Sequence, residues 1–128
     1  MGVIATNDRE IKFYYSSVTS IGKQALAYVK ASDKKIMEVD IAKTKVTGTQ
    51  WAELAEYLNL PLHQLIDTQH PDFIAAYGKD PDIKDPHDWL KLLANCPQAF
   101  QHPILVNGHT AIQIISPSDV AAFLDTES

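Results

Sequence analysis

Ile11-Lys12-Phe13-Tyr14-Tyr15-Ser16-Ser17-Val18-Thr19-Ser20-Ile21 is the stretch whose reading decides the fold. Apart from Lys12 its first five residues are apolar or aromatic, the composition of a strand. The serines and threonine that follow bond readily to their own backbone and so favour a loop and a helix N-terminus. Beyond them Ile21, Ala25, Leu26 and Val29 fall on one helical face. Lys35-Ile36-Met37-Glu38-Val39-Asp40-Ile41 then alternates polar and apolar residues and reads as a second strand. A strand, a tight loop, a helix and a strand open a βαβ unit, whose right-handed crossover makes the two strands parallel.

Working outward, Thr47-Gly48-Thr49-Gln50 fits a capping box, and Trp51, Leu54, Ala55 and Leu58 follow at helical spacing. Pro61 can open a short helix carrying Leu62, Leu65 and Ile66. Phe73, Ile74 and Tyr77 form a further stripe that stops at Gly78. Asp85-Pro86-His87-Asp88 supplies an N-cap, a proline at the first helical position and a first-turn carboxylate ahead of Trp89, Leu92 and Leu93. Residues 49–96 therefore read as a helical block. After Pro97 the pattern returns to strands: Ile104-Leu105-Val106, a turn at Asn107-Gly108 expected to be type I′, and residues 110–115. Ser116-Pro117-Ser118-Asp119 caps a last helix whose Val120, Phe123 and Leu124 face inward. The predicted fold class is α/β, a thioredoxin-like β-α-β / β-β-α core with an all-helical insertion, in one domain over residues 1–128.

Length and composition agree with that. A chain of 128 residues, 45% hydrophobic, buries enough surface to need neither disulfides nor a structural zinc. Its single cysteine, Cys96, excludes an intramolecular disulfide, a C-x-x-C pair and a multi-thiolate metal site, and suits a reducing compartment. No apolar run reaches the about 20 residues of a membrane span and no signal-peptide pattern is present, so the expected location is cytoplasmic. Met1-Gly2-Val3-Ile4-Ala5-Thr6 satisfies the loose N-myristoylation pattern, which is short enough to arise by chance. Net charge is −5, made of +3 over residues 1–50 and −8 over residues 51–128. An acidic second half repels phosphate backbones, which argues against direct nucleic-acid binding and leaves a protein partner open.

The order and spacing of these features resemble the arsenate-reductase-like branch of the thioredoxin superfamily, which includes glutaredoxin-linked arsenate reductases and Spx-type regulators. The resemblance runs over residues 11–124. It rests on Phe13-Tyr14 before the loop, on Thr49-Gln50-Trp51-Ala52-Glu53-Leu54 and Pro61-Leu62-His63-Gln64-Leu65-Ile66 in the insertion, and on His102-Pro103-Ile104-Leu105-Val106 followed by Ser116-Pro117-Ser118-Asp119-Val120. It implies a nucleophilic cysteine at the N-terminus of the first helix, where the helix dipole stabilises a thiolate. Thr19 occupies that position, and Gly22 stands where Spx-type members carry the second cysteine. The three arginines that hold the oxyanion in arsenate-reducing members correspond to Lys23, His102 and Asp67: one keeps its charge without bidentate geometry, one is mostly neutral, one is reversed. Pro103 corresponds to the proline that is usually cis in thioredoxin-like folds and leaves backbone groups free to pair with a peptide or glutathione.

The resemblance thus implies a family scaffold whose redox chemistry is lost, acting as a binding or regulatory module. Thr19, Ser20, Lys23, His102 and Pro103 would present a surface to a protein partner or to a small anionic or thiol ligand, with no cofactor. The alternative is a glutathione-dependent oxidoreductase or transferase using the hydroxyl of Thr19 or Ser20 in place of a protein thiol, with glutathione as its cofactor. Ser16, Ser17, Thr19 and Ser20, beside Lys23, could also cradle an anion at the helix N-terminus, although capping alone accounts for them. His63, His70, His87, His102 and His109 show no metal-ligand spacing, and no metal is expected. Asp80, Asp82, Asp85 and Asp88 lack the glycine and glutamate of a calcium loop and read as a solvated capping segment. Cys96, among apolar neighbours, reads as a small core residue.

Overall fold

A computed structural model describes residues 11–79, 81–96, 99–100, 102–108 and 110–126; the readings made of residues 1–6, Asp80, Pro97 and His109 fall outside them. Four strands form one mixed sheet: β1 (Ile11–Tyr15), β2 (Ile36–Asp40), β3 (Ile104–Asn107) and β4 (Thr110–Gln113), in the order β2-β1-β3-β4. β1 runs parallel to β2 and antiparallel to β3, and β3 pairs antiparallel with β4. The βαβ opening and the closing hairpin stand as the sequence predicts. The helices are α1 (Ser20–Ala31), α2 (Gly48–Leu58), α3 (Pro71–Tyr77), α4 (Pro86–Asn95) and α5 (Asp119–Thr126), with a 3₁₀ turn at Leu62–Leu65.

The period-two geometry of the central strands divides the core between two faces. Ile11, Phe13, Tyr15 and Leu105 point to the face covered by α1 and α5, where Ala25, Val29, Val120, Phe123 and Leu124 meet them. Tyr14, Ile104 and Val106 point to the other face, against Trp51, Leu54, Leu65, Phe73, Leu92 and Leu93 of the helical block. Phe13 and Tyr15 stack at 5.1 Å between ring centroids, and Trp51 tilts against Phe100 at 5.2 Å. Full burial of each such side chain contributes about 1.5–3 kcal/mol.

Local chemistry fixes where the helices begin. The capping box of α2 forms as read, with Thr47 Oγ1 accepting from Gln50 N at 3.2 Å and Gln50 Oε1 accepting from Thr47 N at 3.0 Å. Asp85 caps α4 through His87 N, and Pro86 takes the first helical position. α3 ends at Gly78, whose φ of 88° lies where a side chain would be strained. The hairpin differs by one residue from the expected turn: Asn107 pairs with Thr110, so the connection is residues 108–109, with Gly108 at φ 65°. Asn107 is still strand because its partner Thr110 lies directly across the ladder. β4 is also shorter than the apolar run suggested, since Ile115 leaves the sheet and is exposed.

Candidate functional site

The parallel pairing of β1 with β2 carries the chain ends of both strands to one edge of the sheet, where Tyr15 lies opposite Asp40. The antiparallel register of β1 with β3 brings Pro103, one residue ahead of Ile104, to the same end. The loop of residues 16–19 therefore sits between the end of β2 and the start of β3, at the N-terminus of α1.

Within this loop the hydroxyls and amides are spoken for. Thr19 is the N-cap of α1: its Oγ1 accepts from Gly22 N at 3.1 Å and donates to the Ser16 carbonyl at 2.9 Å. The Ser16 carbonyl accepts from Thr19 N as well, at 3.2 Å, and Lys23 N donates to the Thr19 carbonyl at 3.1 Å. Val18 N donates to Ser16 Oγ at 3.4 Å and Ser17 N to Asp40 Oδ1 at 3.0 Å. Ser16 is buried and Ser20 exposed, its Oγ accepting from Gln24 Nε2. Of the amides around this helix N-terminus, those of residues 17, 18, 19, 22 and 23 point at acceptors of the protein's own.

Gly22 is required by the same geometry. A Cβ there would collide with the Ser16 carbonyl and lie 2.7 Å from Thr19 Oγ1. Any side chain at this position, cysteine included, forces the loop and the helix apart.

Asp40 escaped the reading of the sequence. It is buried at the end of β2, and its Oδ1 accepts from both Ser17 N and Ala42 N at 3.0 Å, tying the loop after β1 to the loop after β2. Burial pushes its carboxyl up, but hydrogen bonds from the Ser17 side chain and from the Ser17 and Ala42 amides, with Lys43 nearby, outweigh burial and hold it below the usual carboxylate range. Burial raises the neighbouring Tyr15 phenol, and the charges of Asp40 and Glu38 raise it further. The available signal was positional: an acidic residue closing a strand parallel to β1 must stand beside the loop that follows β1.

No family profile and no curated protein matches the chain. Solved structures do. A Yersinia pestis protein whose structure is described as a "Putative arsenate reductase" superposes with a TM-score of 0.77 at 20% identity, covering 88% of this chain and 99% of that one. An arsenate reductase from Vibrio cholerae gives 0.76 at 16% identity, over 89% of this chain and 97% of its own. The chain has the arsenate-reductase-like, thioredoxin-type fold. In this arsenate-reductase-like fold the candidate residues divide into two groups. Thr19, Ser20 and Lys23 share the first turn of α1; Lys23 is exposed, and among the described residues no carboxylate lies within ion-pair distance of it. His102 and Pro103 stand at the start of β3. Among the described residues no hydrogen bond joins the two groups, and what they share is the end of the sheet.

Two of the three positions that the resemblance assigns to arginines are near enough for the charge of one to act on the other. Burial lowers the pKa of the half-buried His102 imidazole, and the charge of Asp67 partly restores it. The approach is built by the insertion, whose Ile66 bridges Phe100 and whose Asp67 N donates to the Ala99 carbonyl at 2.6 Å. The expected cis bond before Pro103 is not formed: no cis peptide occurs among the described residues. The buried Pro103 instead extends the β3–β4 ladder, its carbonyl accepting from Ile114 N at 2.7 Å, so that acceptor is used within the sheet. Cys96 is buried in the helical-block core at the end of α4, where burial raises its thiol pKa. Two residues the sequence reading did not single out, Val18 and Ile115, are each 68% exposed at this end of the sheet.

Proposed function

We propose that this protein is a non-catalytic binding or regulatory module on the arsenate-reductase-like fold, which takes a protein segment at the end of the sheet formed by Thr19, Ser20, Lys23, His102 and Pro103. The observation that carries the reading is the hydrogen bonding of Thr19. The side chain at the nucleophile position is a hydroxyl whose proton goes to the Ser16 carbonyl and whose lone pair takes Gly22 N. A hydroxyl so held, far less acidic than a thiol and with no histidine in its loop, supports the loop and does not attack a substrate. Asp67 and His102 supply neither the charge nor the bidentate geometry of an arginine clamp.

The choice of a protein segment over a small oxyanion rests on charge and exposure. The amides of residues 17–19 are occupied and the buried Asp40 carboxylate accepts one of them, both unfavourable to an anion. Val18 and Ile115 offer exposed apolar side chains at the same end, the kind of contact that anchors a protein interface.

The test is affinity capture by the intact protein alongside Val18→Asp/Ile115→Asp and Lys23→Ala variants, with circular dichroism to confirm unchanged folding. A binding partner held by the parent and lost by the double variant supports the reading; equal retention by all three refutes it. Turnover assays with glutathione and arsenate run beside it. Glutathione-dependent activity that survives Cys96→Ser and falls with Thr19→Ala or Ser20→Ala would replace the binding module with the hydroxyl-assisted enzyme.

A further inference from the structure

β2 lies at one edge of the sheet, with β1 on one side and, among the described residues, no strand on the other. One bond tells which of its backbone groups are open. Ile41 N, just past the strand, donates to the Tyr15 carbonyl at 2.8 Å, so Ile41 turns its backbone toward β1. The pleat repeats every two residues, which turns Val39 and Met37 the same way and Ile36, Glu38 and Asp40 outward. The Asp40 carbonyl agrees, since it accepts from Lys43 N and Thr44 N of the loop beyond the strand. The N–H and C=O of Ile36 and Glu38 and the N–H of Asp40 are therefore left open among the described residues.

Exposed edges are usually blunted by a proline, a bulge or a covering segment. β2 contains no proline, and its register with β1 is unbroken over all five residues. Met37, at its second position, is 52% exposed. Glu38 is held by Lys30 of α1 at 3.4 Å, and on that side of the helix Ala27 and Ala31 are exposed and small enough to let another helix approach.

We propose that β2 is the contact surface for a second copy of this chain, paired antiparallel about a two-fold axis at Met37 so that the two sheets become one. Met37 then faces Met37 of the second copy, Ile36 faces Glu38, and Lys34 faces Asp40, with charges of opposite sign. This register answers every open group: Ile36 and Glu38 exchange both of their bonds, and Asp40 N–H meets the Lys34 carbonyl. Only shifts of two residues keep each side chain on its own face. In one direction such a shift sets Glu38 against Glu38 and aims Ile36 N–H at the Asp40 carbonyl, which is already taken. In the other it sets Met37 against Lys35 and removes the apolar contact. The inference does not rest on the function proposed for the Thr19 end.

Five residues a side is less than the roughly 20–30 of a stable interface, so the dimer should be weak, forming between micromolar and millimolar concentration. The experiment follows the full chain over that range by sedimentation and by amide hydrogen exchange. Protection at Ile36, Glu38 and Asp40 should rise with concentration, while Met37 and Val39, already bonded to β1, stay unchanged. Met37→Lys, at an exposed position, should weaken the dimer about tenfold by setting two lysines face to face. Register is read by crosslinking with glutathione disulfide as oxidant, each variant checked for folding by circular dichroism. Cys96→Ser/Met37→Cys sets the two thiols across a non-hydrogen-bonded pair, with Cα atoms about 4.5 Å apart, and should give a covalent dimer. Cys96→Ser/Lys35→Cys sets them about 13 Å apart and should not. A chain still monomeric at millimolar concentration, outward amides already protected in the monomer, a dimer indifferent to Met37→Lys, or equal crosslinking of the two cysteine variants would each overturn the proposal.

Discussion

Replacing Gly22 by alanine separates the packing at this loop from simple helix propensity, because the two effects have opposite signs. Gly22 lies inside α1 without a positive φ, so propensity alone makes Gly22→Ala stabilising by about 0.5–1 kcal/mol. The structure says the reverse. The added methyl would occupy the space of the Ser16 carbonyl, and 2.7 Å to Thr19 Oγ1 leaves no room for the cap in its present position. Ser16 is backbone-locked and buried, so neither neighbour is the free end of a flexible side chain. Overpacking of this sort costs about 1–3 kcal/mol, and disruption of the Thr19 cap about 1 kcal/mol more. After the propensity gain is set against them, the variant is expected to be about 2 kcal/mol less stable. At about 2.1 cal/mol/K per residue, a chain of 128 residues loses close to 4 °C of Tm per kcal/mol, so Tm should fall by about 8 °C. Thermal unfolding followed by circular dichroism, checked by urea denaturation at constant m, measures it. A Tm equal to or above that of the parent would show that the helix and the Ser16 carbonyl are not in contact as described, and the account of this loop would fail with it.

Other outcomes follow from the same contacts. Thr19→Ala should cost about 1 kcal/mol and Thr19→Gly only a few tenths, the ordering of an N-cap, and denaturant midpoints would reveal any other ordering. Thr19→Cys should give a thiol at a helix N-terminus that reacts readily with a disulfide reagent, yet no arsenate reduction in a coupled assay; turnover there would show that Lys23, His102 and Asp67 suffice to hold the oxyanion. Asp40 has a folded pKa below its unfolded value, so its stabilisation is present above the unfolded pKa of about 3.9 and is lost as pH falls through the folded value. Asp40→Asn should therefore be less stable at neutral pH with a flatter acid limb, and identical limbs for the two proteins would contradict the assignment. Asp67→Asn should lower the His102 pKa further, since the aspartate charge is what partly offsets burial, a shift readable by proton NMR of the imidazole. Native Cys96, buried and with a raised thiol pKa, should resist thiol reagents until the protein is unfolded; fast labelling would place it at the surface.

The sequence by itself determined most of the framework, because its signals are local and periodic. The βαβ opening, the capping box at Thr47 and Gln50, the Asp85-Pro86 start of α4 and the stripes of Trp51, Leu54 and Leu92 depend only on neighbours within a turn or two. The same locality made Thr19 legible as a cap. Pairing across the sheet decided what local patterns could not. The hairpin turn moved to residues 108–109 because Asn107 found its partner in Thr110, and Pro103 took a place in the ladder with Ile114. Asp40, 23 residues from Ser17, became part of the site only because parallel pairing of β1 with β2 set their ends side by side. The charge of Asp67 reaches His102 because an isolated bridge joins Ile66 to Phe100 and brings the end of the insertion beside the start of β3. In each case the deciding contact is long-range, fixed by strand register and core packing, and no spacing within a single element encodes it.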